Sequence, residues 1–193
     1  MGRNQAFDTE EVVRAARAVF WERGYEASSL PDLEHATGLN RSSIYHAFGS
    51  KRGLFDAAVK SYLGEVIRPR LRPLEGAEVS PAALEEYLIG LRGALLRAGT
   101  LPATSGCLLV NTAGAPIIRD GAVASIISAY TAELRAAITA GVRARLPELP
   151  AAKQEVLAEA CTSHVIAAFT LVRFSPEDAA RALDAARDLI AVQ

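Results

Sequence analysis

The chain has little of what marks a catalyst, a secreted scaffold or a membrane protein. Of 193 residues only two are cysteine, one is methionine, one is tryptophan and three are histidine. Cys107 and Cys161 are far apart, with neither C-x-x-C nor histidine-paired spacing, which excludes a disulfide framework and a zinc site and fits a reducing cytoplasm. The histidines, His35, His46 and His164, are scattered, and no glycine-rich phosphate loop is present, so no metal or cofactor is expected. Met1 to Phe7 carries one arginine and no apolar h-region, and no later apolar run approaches the roughly 20 residues of a membrane span, so neither secretion nor a membrane partner is expected. Charge of one sign is also lacking: 21 Lys+Arg stand against 22 Asp+Glu. That excludes a generally basic coat for nucleic acid and leaves only a local basic face.

What the chain has is alanine, 37 residues of it, and an apolar half that can build a sizeable core. β-Branched residues rarely alternate with polar ones, so the chain reads all-α, with about nine helices. The first runs from about Thr9 to Arg23, capped by Asp8 or Thr9 and stopped by Gly24, with Val12, Ala16, Val19 and Phe20 on one stripe. Three short pieces follow, about Leu30 to Thr37, Arg41 to Phe48 and Lys51 towards Arg68, opened by Ser29, Asn40 and Ser50. Pro31 is tolerable in the first turn of its helix, and Gly38 ends that helix in a left-handed conformation. A connector over 71–79 leads to longer helices. These run from Ser80 to Ala98, Gly106 to Ala113, Gly121 to Leu146, Ala151 to Phe174, and from the Ser175-Pro176-Glu177-Asp178 cap to the C-terminus. The helix ending at Phe174 turns apolar nearly all round between Val165 and Val172, which predicts burial on two faces.

Leu30 to Phe48 is a helix, a glycine-containing turn and a second helix, an arrangement that can place one helix in a DNA major groove. From His35 to Phe55 the charges are Arg41, Lys51 and Arg52, with no acid among them. The second helix carries residues suited to groove work. Arg41 can reach a guanine edge or a phosphate, Ser42 and Ser43 allow close approach, and Tyr45 and His46 each offer a ring with a hydrogen-bonding tip. Ser50-Lys51 opens the next helix with backbone amides, dipole and ammonium together, a phosphate clamp. Ile44 and Phe48, four apart, should face inward.

The stretch Val12-Val13-Arg14-Ala15-Ala16, Val19-Phe20, Arg23-Gly24-Tyr25-Glu26-Ala27-Ser28-Ser29-Leu30, Gly38-Leu39, Ser43-Ile44-Tyr45-His46-Ala47-Phe48-Gly49-Ser50-Lys51 and Leu54-Phe55 closely resembles the N-terminal domain of TetR-family (tetracycline-repressor-like) transcriptional regulators. The resemblance implies a three-helix helix-turn-helix DNA-binding domain, 1–53, followed by a larger helical domain for ligand binding and dimerisation, 54–193. It implies that Ser29 and Lys51 hold phosphates, that Ser42, Ser43, Tyr45 and His46 face the groove, and that Arg41 occupies an often basic position. Glu34 departs from the pattern, standing where the family usually has alanine.

One reading helix touching three or four bases, each pair worth about 1 to 3 kcal/mol, discriminates too little alone, so a homodimer on an inverted-repeat operator is expected. The last two helices supply the expected interface, Val165, Ala168, Phe169, Val172, Leu183, Ala186 and Ile190, as a four-helix bundle across a two-fold axis. The resemblance also implies an effector cavity for an unknown small molecule, with Tyr87, Cys107, Asn111, Tyr130 and His164 as candidate polar groups. The expected activity is that of a cytoplasmic, ligand-responsive repressor and not an enzyme. The competing readings are an all-α enzyme or carrier, and a family member that acts through protein contacts without DNA.

Overall fold

The computed structural model describes residues 8–191, and the Met1 to Phe7 stretch lies outside them. Among the described residues every regular element is helical. The α-helices are α1 (Thr9–Ala27), α2 (Leu30–Thr37), α3 (Arg41–Phe48), α4 (Lys51–Tyr62), α5 (Arg68–Leu71), α6 (Ala83–Leu96), α7 (Leu101–Ser105), α8 (Leu108–Ala113), α9 (Gly121–Arg145), α10 (Ala151–Leu171) and α11 (Pro176–Leu189). Two of them go beyond the sequence reading. α5 is the continuation of α4 through a π-helical turn, Leu63–Ile67, and α7 is a single short turn-and-a-half opened by a proline.

Local chemistry sets the boundaries. Asp8 accepts the amide of Glu10 at 2.8 Å, Asn40 that of Ser43 at 2.9 Å and Ser50 that of Gly53 at 3.0 Å. Gly38 ends α2 at φ 68° with its amide on the Glu34 carbonyl. Gly24, at φ 80°, breaks α1, and one further turn reaches Ala27 beyond it. The apolar run 101–119 is long enough and apolar enough by composition to cross a membrane, contrary to expectation, but it folds as α7, α8 and a 3-10 turn, interrupted at Gly106 and Gly114.

One apolar core joins both ends of the molecule. α1 lies on α2 and α4, with Phe20 edge-on to Phe55 at 5.2 Å and Trp21 edge-on to Tyr62 at 4.7 Å. α9, α10, α11 and α6 pack together as the larger body. α1 also touches α7 and α8, and there the Trp21 indole N–H donates to the Gly106 carbonyl at 3.1 Å, buried. Gly106 sits at φ 65°, and a Cβ there would fall 2.1 Å from the Phe169 carbonyl oxygen, so the turn carrying it fits only glycine.

Candidate nucleic-acid interface

α3 is amphipathic over two turns. Ile44 is fully buried and Phe48 half-buried on the core side, while Arg41, Ser42, Tyr45 and His46 face water. Tyr45 is 37% exposed, and the Arg41 guanidinium lies over its ring at 5.4 Å, so cation and ring form one surface. Ser43 is half-buried and donates its amide to the Asn40 cap. Glu34 has a structural role: its carboxylate accepts the Arg41 backbone amide, tying the end of α2 to the start of α3. Its carboxylate thus meets α3's N-terminal amides, where the helix dipole favours negative charge.

Ser29 opens α2 with a capping box. Its hydroxyl donates to Asp32 at 2.6 Å and accepts the Asp32 amide at 3.2 Å, and its own amide donates to Asp32 at 2.9 Å. Arg23 pairs with the other carboxylate oxygen at 2.6 Å. The hydrogen bonds from Ser29, with Arg23 behind them, hold the Asp32 carboxyl at a pKa of about 2. In this structure the Ser29 amide and hydroxyl both donate to the Asp32 carboxylate, so the residue serves as the cap of α2.

Lys51 occupies the first position of α4. Its ammonium sits 4.5 Å above the Tyr25 ring, and burial there lowers its pKa below the ordinary lysine value, with Glu26 pulling the other way. Gly53 had no place in the sequence reading. A Cβ on it would lie 2.0 Å from the Phe48 carbonyl, so glycine is what lets the start of α4 press against the end of α3. The reading surface and the lysine are thereby held on one rigid corner.

This corner is fastened to the larger body by polar ties that sequence spacing does not reveal. Arg52 pairs with Asp56 on its own helix and with Asp120, the N-cap of α9. Glu26 accepts the Ile117 amide at 2.7 Å. Arg14 and Arg17 of α1 both reach Glu65, at 3.0 and 3.1 Å, inside the π-helical turn.

Of the candidate effector residues, the structure brings three together. Cys107 lies 3.7 Å from the Tyr130 hydroxyl, and the buried Tyr62, unforeseen, feels the same thiol. Burial first, and the neighbouring Cys107 second, push both phenols up. Tyr87 and Tyr130 share the small cavity beneath a wider groove of about 730 Å³ between α5, α6 and α7. Asn111 is elsewhere: it donates to the Ser105 carbonyl at 2.6 Å and accepts from Arg173 at 3.4 Å, bracing a turn. His164 is half-buried on α10 and lines neither space. Cys161 is buried, and burial raises its thiol to a pKa of about 11.

The residues expected at a dimer contact lie in the core of the single chain. Val165, Ala168, Phe169, Val172, Leu183, Ala186 and Ile190 are all at most 5% exposed and pack within the single chain. They join α10 to α11, and α11 packs in turn on α6.

An all-helical body fronted by a helix-turn-helix with a polar, aromatic and cationic outer face defines the class of helix-turn-helix DNA-binding transcriptional regulators. Comparison with known proteins gives the family. Residues 12–58 match the sequence profile of TetR_N, bacterial regulatory proteins of the tetR family. The TetR family regulator CifR, solved as a cysteine-substituted form complexed with 26-base-pair double-strand operator DNA, is 30% identical, with 98% of each chain covered and a TM-score of 0.77. The repressor ComR of Escherichia coli (strain K12) is 32% identical over 111 residues, 57% of this chain and 51% of ComR. YezE of Bacillus subtilis (strain 168), a helix-turn-helix type transcriptional regulator, is 54% identical over 63 residues, 33% of this chain and 32% of YezE. The matches to these curated relatives thus span a third to a half of their length, whereas the match to CifR spans nearly all of it. The chain belongs to the TetR family, and the enzyme reading is set aside.

Proposed function

We propose that this chain is a homodimeric, ligand-responsive repressor that holds an inverted-repeat operator in the cytoplasm and is released from it by a small molecule. The observation that carries the DNA half is the outer face of α3, where Arg41, Ser42, Tyr45 and His46 are exposed around a buried Ile44, with Lys51 at the head of the next helix. Residues 1–53 read the operator, the four exposed side chains meeting base edges or the adjoining backbone while Lys51 takes a phosphate. Residues 54–193 receive the effector and the partner copy. CifR in its operator complex supports the DNA half of this reading, since its likeness covers 98% of the chain.

The partner docks on the outward side of α10 and α11, because their inward sides are consumed by the core. Phe174, 73% exposed just beyond α10, and Leu189, 39% exposed on α11, mark that side. Two reading helices then meet half-sites about 34 to 36 Å apart. Effector binding favours a dimer with the wrong separation, and a coupling of about 1 to 3 kcal/mol suffices. α4 is the lever, since it begins at Lys51 and continues through α5 into the wall of the groove. Selection of bound fragments from a random duplex pool tests the reading. An enriched inverted repeat is expected, and recovery of no duplex at low ionic strength refutes it.

A further inference from the structure

We propose that the groove between α5, α6 and α7 takes a small organic monoanion, a carboxylate on an apolar body. The inference rests on the reading of this chain as an effector-responsive regulator and assigns the chemical class of the effector.

Three features point there. First, two guanidiniums border the groove, Arg70 on α5 and Arg97 at the C-cap of α6. Among the described residues neither forms an ion pair, although Glu86 stands in the same wall. One carboxylate against two arginines leaves the site a single positive charge to be matched, which favours a monoanion over a cation or a dianion. Second, the floor is apolar and bare. Gly90 and Gly93 of α6 line it, and a Cβ on either would meet nothing within 4 Å, so the space above the helix is available to a ligand. A volume of about 730 Å³ falls within the range that holds drug-sized molecules. Third, Tyr87 stands at the inner end. Half-buried, it lines both the groove and the small cavity beneath, and burial raises its phenol, so it meets a ligand as a neutral hydroxyl.

A carboxylate held by Arg70 and Arg97 bridges α5 to the end of α6. It thereby pulls on the same rod that begins at Lys51.

The test is calorimetric titration of the full-length protein with phenylbutyrate, octanoate, phenylbutyramide and phenylbutylamine. The two carboxylates are expected to bind, the amide about tenfold more weakly or worse, and the amine weakest. Arg70→Gln and Arg97→Gln, both exposed positions, should each weaken phenylbutyrate by about tenfold, and Glu86→Gln should tighten it. Failure of both carboxylates to bind at millimolar concentration overturns the proposal, as does an amine that binds as well as the acid or arginine variants that keep wild-type affinity. Anisotropy of a selected duplex, read in parallel, separates this from the underlying assignment. Carboxylate binding that leaves duplex affinity unchanged upholds the chemistry of the groove and refutes its role as an effector site.

Discussion

Lys51→Met removes the ammonium that lies over Tyr25 and leaves an unbranched apolar chain in its place, while the Gly53 approach that joins α3 to α4 is untouched, so the corner should persist. In a dimer the change deletes two phosphate contacts, one per copy. Each contact contributes about 0.9 to the slope of log affinity against log salt on duplex DNA, so the slope should become shallower by about 1.8. Between about 50 and about 200 mM salt, an interval of roughly 0.6 log units, the wild type should therefore lose roughly twelvefold more affinity than the variant. Fluorescence anisotropy on a selected operator at four or so salt concentrations measures this directly. Tyr45→Ala supplies the contrast, because it removes a base-facing ring and no charge: affinity should fall at every salt concentration with the slope unchanged. Lys153→Met, at the far end of the molecule on α10, should alter neither. A Lys51→Met protein with the wild-type slope would show that the ammonium does not sit on a phosphate, and the placement of α3 in the groove would fall with it.

Trp21→Phe keeps the ring against Tyr62 but strands the buried Gly106 carbonyl, which should cost about 1 to 3 kcal/mol in urea unfolding; an unchanged midpoint would refute the accounting. Phe174→Glu should yield a folded monomer by sedimentation that no longer binds operator, whereas Phe169→Glu should fail to fold, being only 5% exposed. A Phe174→Glu protein that stays dimeric places the interface elsewhere. The Asp32 carboxyl titrates near 2 when folded and near 3.8 in its reference state, so its stabilisation is complete above about pH 4 and is lost as pH falls towards 2. The melting temperature of Asp32→Asn should accordingly fall less steeply than that of the wild type through this window.

What was legible in the sequence was local. Ser29, Asn40 and Ser50 announce helix starts because a cap reaches only two or three residues. The inward Ile44 and outward Tyr45 follow from helical period alone. The residues named for the dimer surface show the limit of pattern: α10 is apolar nearly all round, and period alone does not separate Val165, Ala168, Phe169 and Val172, which its own chain buries, from the half-buried Ile166, Ala167 and Leu171. Asn111 looked like a ligand group inside an apolar segment and proves to be a brace for the turn at Ser105. Contacts such as Trp21 with Gly106, or Arg52 with Asp120, join residues far apart in the chain, and neither period nor spacing carries a trace of them. Gly53 was visible but mute, since its reason is the Phe48 carbonyl beside it.

The widened turn at Leu63–Ile67 gives the rod from Lys51 to Leu71 a change of gear. A π turn accommodates one residue more than the ordinary winding, and one residue corresponds to about 100° of azimuth. Glu65 rides in that turn and clasps Arg14 and Arg17 of α1. Rewinding it to the tighter pitch would swing Glu65 away from both arginines, so a small tug at one end of the rod would be delivered to the other as an unfastening.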